Sequence, residues 1–128
     1  MFRVPLDFPV MRGAIDAAQS GDRVLVSPGT YSGGLVISGK TITLASRFIQ
    51  TGDPNDVAQT TIDGGNPMLV IQASAGAATT VRGLTFSNGG YQLVNYARRL
   101  SILDDRFIKG SDQISFEGAG GLVQGCFF

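Results

Sequence analysis

The hexapeptide V-R-G-L-T-F at residues 81–86 recurs as I-L-D-D-R-F at 102–107 and as V-Q-G-C-F-F at 123–128, an offset of 21 residues both times. Self-similarity at a fixed period indicates a repeat architecture, in which each copy supplies one layer of a stack. The copies predict two columns of stacked apolar side chains, one formed by Val81, Ile102 and Val123 and the other by Phe86, Phe107 and Phe128.

Upstream of these copies the apolar positions are less regularly spaced. Val24, Ile42, Ile62 and Val81 are separated by 18, 20 and 19 residues, and we assign them to successive layers. A leucine-rich repeat would need L-x-x-L-x-L-x-x-N in each unit, and no such run occurs. Short apolar strands bounded by Gly, Pro, Asn, Asp and Ser instead favour an all-β fold, a parallel β-helix of about five to six coils spaced about 4.8 Å apart.

One helix is predicted, over about residues 10–19. Met11, Ala14, Ile15 and Ala18 lie at i, i+3, i+4 and i+7 and form a single apolar stripe. A short amphipathic helix is stable only when that stripe lies on an apolar surface. We therefore expect this helix to cover the N-terminal end of the stack.

The predicted organisation is a single domain over residues 1–128. Residues 9–20 form the N-terminal cap helix and residues 22–128 form the coils. The longest stretch without a strand pattern, residues 46–59, is predicted to be an irregular loop that protrudes from the coils.

Composition excludes several classes of function. The 128 residues include no His and one Cys, and ten basic residues balance ten acidic ones. The chain therefore lacks His-based catalysis and the commonest metal ligand, and Cys126 alone cannot form an internal disulfide or a Cys-based zinc site. The zero net charge predicts no nucleic-acid or anionic-membrane partner. No apolar run approaches the roughly 18 residues of a membrane span, and the residues after Met1 do not predict a signal peptide.

The N-terminal half contains a series of known motifs. Residues 13–46 and 60–65 include A-I-x-A-A, G-D-x-V-x-V-x-P-G-x-Y, K-x-I-T-L and I-D-G. In these motifs the chain resembles the right-handed parallel β-helix proteins of the pectin-lyase-like superfamily, in which the first helix covers the end of the coil. That superfamily is mostly secreted or cell-surface, and it includes lyases, hydrolases, esterases, epimerases, adhesins and non-enzymes. The resemblance therefore implies a fold and leaves the chemistry open.

The densest charge cluster consists of Asp104, Asp105 and Arg106, which are the candidate catalytic residues. Two carboxylates beside a guanidinium could supply a general base and a stabilising cation, or the two aspartates could bind calcium. The favoured alternative is structural. The repeat aligns Asp104 and Asp105 with Gly83 and Leu84, at a corner where Asp commonly serves as a turn residue.

Candidate ligand-binding residues are Tyr91, Tyr96, Arg98 and Arg99. The tyrosine rings could stack on sugar rings, and the arginines could pair with an anion such as a uronate. Adjacent residues in a strand point to opposite sides, however, so the two arginines would not act together. A polysaccharide is the ligand class that these residues indicate.

The active-site motifs of the superfamily are incomplete in this chain. Polygalacturonase-like hydrolases combine N-T-D, D-D, G-H-G and R-I-K, of which only D-D and a loose R-F-I-K at residues 106–109 are present. Alginate-type epimerases and lyases use D-P-H-D, and residues 53–56 read D-P-N-D. We therefore expect a non-catalytic carbohydrate-related or structural module without a cofactor. The alternative is a calcium-dependent polysaccharide lyase or related pectin-acting enzyme, or a fragment of one.

The last residues predict self-association. Leu122, Val123, Phe127 and Phe128 would lie on a final coil whose next layer is absent, and each wet apolar side chain would cost roughly 1.5–3 kcal/mol. Either the β-helix continues in a longer protein, or two copies meet end to end about a two-fold axis. The dimer is the favoured interpretation, with these four residues as its interface.

Overall fold

The computed structural model describes residues 2–4, 6–37, 40–64, 69–71, 79–88, 91–95, 100–108, 112–116 and 122–126. Within these ranges the chain is mostly β, with fourteen short strands and three short helices. In chain order they are β1 Phe2–Val4, α1 Met11–Ala17, β2 Arg23–Val26, β3 Gly29–Ser32, β4 Leu35–Ile37, β5 Thr43–Ser46, α2 Phe48–Thr51, α3 Pro54–Gln59, β6 Thr60–Asp63, β7 Leu69–Ile71, β8 Thr79–Arg82, β9 Thr85–Ser87, β10 Tyr91–Asn95, β11 Leu100–Leu103, β12 Arg106–Ile108, β13 Asp112–Phe116 and β14 Leu122–Gln124.

The strands form three parallel sheets. Sheet A has the order β1-β2-β5-β8-β11-β14, sheet B has the order β3-β6-β9-β12, and sheet C has the order β4-β7-β10-β13. From β2 onward the chain therefore enters sheets A, B and C in turn, and every third strand joins the same sheet. This pairing confirms the prediction of parallel strands.

The predicted apolar columns are confirmed where the structure describes them. Ile102 is aligned with Val81 on one side and with Val123 on the other. The rings of Phe86 and Phe107 stack with their centroids 5.0 Å apart and their planes 5° apart. Phe128, the third member of the second column, lies outside the described residues.

The upstream register differs from the prediction. Val24 aligns with Leu44 rather than with Ile42, and Leu44 aligns with Val81. Ile62, which the spacing placed one layer after Ile42, lies in sheet B beside Tyr31. The spacing was misleading because α2 and α3 lengthen the connection between β5 and β6, so equal intervals along the chain no longer mark equivalent positions.

Inward-facing side chains from all three sheets form one buried cluster. Sheet A supplies Val24, Leu44, Val81 and Ile102, sheet B supplies Ile62, Phe86 and Phe107, and sheet C supplies Leu35, Ile37 and Leu69. Alternate residues of each strand point to opposite faces. The sheets therefore share one core, and their other faces are directed away from it.

Helix α1 lies on this core with the predicted stripe. Met11, Ala14, Ile15 and Ala18 are all at least 97% buried, which confirms the apolar face. The helix is shorter than predicted, ending at Ala17. The helix is also not the first element of the chain. Strand β1 precedes it and pairs with β2 at the edge of sheet A.

The segment 46–59 is not irregular. It starts at the end of β5 and continues through α2 and α3. Asp53 caps α3 by accepting the Asn55 backbone N–H at 2.9 Å, and Pro54 follows as the first helical residue. Part of the segment packs against the sheets, since Val57 is 6% exposed and its carbonyl accepts the buried Thr85 hydroxyl at 2.7 Å. The turn-forming residues of D-P-N-D therefore begin a helix. The composition of the segment did not predict this helix.

Candidate functional site

A column of left-handed residues forms the corner between sheets A and B. Gly83, Asp104 and Gly125 have φ values of 73°, 56° and 69°. The backbone N–H of Gly83 donates to the Leu103 carbonyl, and that of Asp104 donates to the Gln124 carbonyl, both at 3.0 Å. Asp is among the few non-glycine residues that tolerate this conformation. Asp104 therefore has the backbone role that glycine has in the neighbouring layers.

The Asp104 carboxylate is paired with an arginine of the preceding layer. The Nε of Arg82 donates to Oδ2 of Asp104 at 2.9 Å. The same guanidinium lies over the ring of Phe48, 5.6 Å from its centroid. Both side chains are partly exposed, so the carboxylate is neutralised but remains at the surface.

Asp105 is buried inside the corner, where the neighbouring layers hold Leu84 and Cys126. It is 1% exposed, and its Oδ1 accepts the Leu84 backbone N–H at 2.7 Å. Its Oδ2 is buried without a hydrogen-bond partner among the described residues. Burial raises the pKa of Asp105 well above its usual range and outweighs the Leu84 N–H, which lowers it. Asp104 raises this pKa further and Arg82 lowers it. A carboxyl that is closed off from solvent is suited to packing and not to proton transfer with a substrate.

The three candidate catalytic residues do not converge on one surface. Arg106 begins β12 in sheet B, where it is aligned with Thr85, and its backbone N–H donates to the Leu84 carbonyl at 2.8 Å. Asp104 is engaged by Arg82 from sheet A, and Asp105 points inward. The three residues are adjacent in sequence, but the chain turns from sheet A into sheet B at this corner and their side chains separate.

Cys126 takes the position of Asp105 in the last described layer. It is half-buried against the core, and its thiol lies 3.5 Å from the Ile102 carbonyl oxygen. Burial raises the pKa of the Cys126 thiol. This environment disfavours the reactive thiolate.

The other candidate ligand residues fall largely outside the description. Tyr91 lies on β10, aligned with Asp112, but its side chain is not among the described ones. Tyr96, Arg98 and Arg99 lie outside the described residues altogether. Of the predicted interface, Leu122 and Val123 are 50% and 37% exposed on β14, and Phe127 and Phe128 are not described.

The outward face of sheet A carries a surface that the motifs did not indicate. Two open cavities of about 360 and 350 Å³ lie side by side and share Arg82 and Leu103. We call them together the sheet groove, which is lined by Arg23, Thr43, Ile49, Thr80, Arg82, Leu103, Asp104, Gln124 and Gly125. Its charged side chains are two arginines and one aspartate, so the groove is cationic overall. The sequence signal for this groove is the alternation of side chains along a strand, since most of the lining residues lie between core residues on the strands of sheet A.

The described residues bring together no group of three or more His, Cys, Asp or Glu side chains able to hold a metal ion. In the same part of the chain no helix has the length and apolar character needed to cross a membrane. Comparison of the chain with protein-family models, with curated proteins and with solved structures finds no match.

Proposed function

We propose that this chain is a non-catalytic right-handed parallel β-helix of the pectin-lyase-like kind, and that its sheet groove binds carbohydrate. The cyclic order of the three parallel sheets supports the β-helix, because strands that recur in one sheet after two others describe successive coils. Right-handed crossovers between parallel strands are the rule. The motifs at residues 13–46 and 60–65 support the superfamily.

The observation that carries the non-catalytic function is the state of the two aspartates. Asp104 is paired with Arg82, and Asp105 is buried against the Leu84 N–H. An eliminative lyase needs a base that reaches the substrate and carboxylates that are free to coordinate calcium. Neither aspartate meets that requirement in this arrangement.

The sheet groove supports the binding function. Arg23 adds positive charge to an open surface, because among the described residues it has no carboxylate within ion-pair distance, whereas Arg82 is paired with Asp104. Thr43 and Thr80 contribute hydroxyl groups. Hydroxyls and guanidinium groups along parallel strands suit an extended acidic glycan, whose sugar rings carry both hydroxyls and carboxylates.

We expect oligogalacturonate to bind in the sheet groove and to remain uncleaved. Titration of ¹⁵N-labelled protein should shift the amides of residues 23, 43, 80 and 82. Arg23→Gln should weaken binding about two- to fivefold, in the range of one exposed ion pair. Arg12→Gln, a matched change on an exposed arginine outside the groove, should leave the affinity unchanged.

Absorbance at ultraviolet wavelengths tests the enzymatic alternative on the same sample. An increase with a uronate polymer and calcium would show eliminative cleavage and contradict the non-catalytic proposal. A glycan array without a hit, together with unshifted groove amides, would contradict carbohydrate binding and leave a structural module.

Self-association through β14 is a second part of the proposal. Val123 continues the buried column of Val81 and Ile102, yet it is 37% exposed and lies beside the exposed Leu122. A second copy stacked on this layer would bury both. Light scattering at high micromolar concentration should give about twice 13.4 kDa, and Val123→Asp should give the monomer mass. A monomeric wild-type protein would contradict this part.

A further inference from the structure

A third cavity lies where β3 passes into β4, beside the start of α1. Its volume is about 420 Å³, within the usual range of small-molecule sites. We call it the Tyr31 pocket, and its principal lining residues are Val10, Arg12, Thr30, Tyr31, Ser32 and Leu35. It lies on different elements from the sheet groove and shares no lining residue with it.

Arg12 is the charged side chain of this lining. Its Nη2 donates to the Gly34 carbonyl at 2.8 Å, which anchors the guanidinium across the loop between β3 and β4. Among the described residues no carboxylate lies within ion-pair distance of it, and Asp16, one helical turn along, does not pair with it. A guanidinium has five N–H donors. Arg12 therefore presents an oriented cation with donors left for an anion, and a carboxylate matches its geometry.

The Tyr31 side of the pocket is fixed in place. The Tyr31 hydroxyl donates to the Ser27 carbonyl at 2.7 Å. A Cβ on Gly29 would approach the Tyr31 hydroxyl oxygen to 3.3 Å and its ring carbons to within 3.5 Å, so this glycine lets the ring lie against the backbone. Leu35 is buried, whereas Val10 is 59% exposed although it lines the pocket. A rigid aromatic ring beside an exposed Val favours a flat apolar body.

We propose that the Tyr31 pocket binds a small organic anion that carries a carboxylate on an apolar ring. The carboxylate pairs with the Arg12 guanidinium, and the ring packs between Tyr31 and Val10. The Thr30 and Ser32 hydroxyls supply hydrogen bonds at the rim. The site is independent of carbohydrate binding in the sheet groove.

Benzoate is the probe for this proposal. In a titration of ¹⁵N-labelled protein, benzoate should shift the amides of residues 10–12 and 30–35, with an affinity at least about tenfold higher than that of acetate or benzyl alcohol, because each of these lacks one half of the recognised group. Arg12→Gln should weaken the binding of benzoate about tenfold. Arg23→Gln, on the sheet groove, should leave benzoate binding unchanged.

A second pair of variants separates recognition from folding. Val10→Gln and Val10→Glu have nearly the same shape at an exposed position, and both should keep the dispersed amide spectrum of the folded protein. Both variants should lose the packing of the ring on Val10, but Val10→Glu should weaken benzoate binding much further than Val10→Gln, because only its carboxylate repels the anion. Equal benzoate affinity of wild type, Arg12→Gln and Val10→Glu, or shifts confined to residues outside the pocket, would overturn the proposal. Because the probe differs from that of the sheet groove, and the two arginine variants exchange the roles of test and control, either site can fail without the other.

Discussion

Phe107→Ala is expected to lower the free energy of unfolding by about 3–5 kcal/mol, the range for removing a fully buried aromatic ring. Phe107 is 0% exposed and stacks on Phe86 in the layer before it. The substitution removes the ring contact and leaves a cavity in the core shared by the three sheets. Urea denaturation followed by circular dichroism measures the loss. Small domains are stable by only about 5–15 kcal/mol, so the variant should be close to unfolding at 37 °C.

The matched control is Phe48→Ala. Phe48 is half-buried outside the core cluster and lies under the Arg82 guanidinium, so its removal should cost about 1–2 kcal/mol. A double-mutant cycle of Phe86→Leu with Phe107→Leu should also show a coupling of about 0.5–1.5 kcal/mol from the stacked rings. If Phe107→Ala costs no more than Phe48→Ala, the aligned columns do not form the core that this structure describes.

How far the sequence predicts this fold depends on the regularity of the connections. The offset of 21 residues predicts the alignment of Val81 with Ile102 because the two repeats between residues 81 and 123 have the same length. The interval from Leu44 to Val81 is 37 residues, since α2 and α3 are inserted in it. Apolar spacing gives no register across an insertion, so Ile62 does not occupy the layer that its spacing from Ile42 predicted.

The proposed binding surface is harder to predict than the core. Apolar columns can be recognised in the sequence because they repeat, but the outward positions of sheet A carry mixed residues with no common pattern. The contact of Arg82 with Phe48 requires α2 to approach β8, which local sequence does not encode. The burial of Asp105 could have been read from its alignment with Leu84, which is 0% exposed. A charged side chain is normally expected at the surface, but the position of Asp105 in the repeat places it in the interior.

The second large expected effect is a dependence of stability on pH that is caused by Asp105. Between about pH 4 and pH 7.5, above the ordinary Asp pKa of about 3.9, we expect the free energy of unfolding to fall as pH rises. Burial raises the pKa of Asp105 in the folded chain, so the folded state keeps a proton that the unfolded state releases. Unfolding then releases a proton and is favoured by rising pH, until the folded pKa is passed. Each unit of difference between the two pKa values corresponds to about 1.4 kcal/mol.

Asp105→Asn should remove most of this dependence, because its amide oxygen can still accept the Leu84 N–H while the side chain stays neutral at every pH. At pH 7.5 the variant should therefore be more stable than the wild type, and at pH 4 the two should be similar. Asp63→Asn is the matched control at an exposed position, where the carboxylate accepts the Asn88 side-chain amide at 2.8 Å, and it should keep the wild-type slope. Urea midpoints across the pH range give the comparison. Parallel curves for the wild type and Asp105→Asn would mean that Asp105 ionises freely in the folded state, and a freely ionising carboxylate beside Asp104 would restore the case for calcium at this corner.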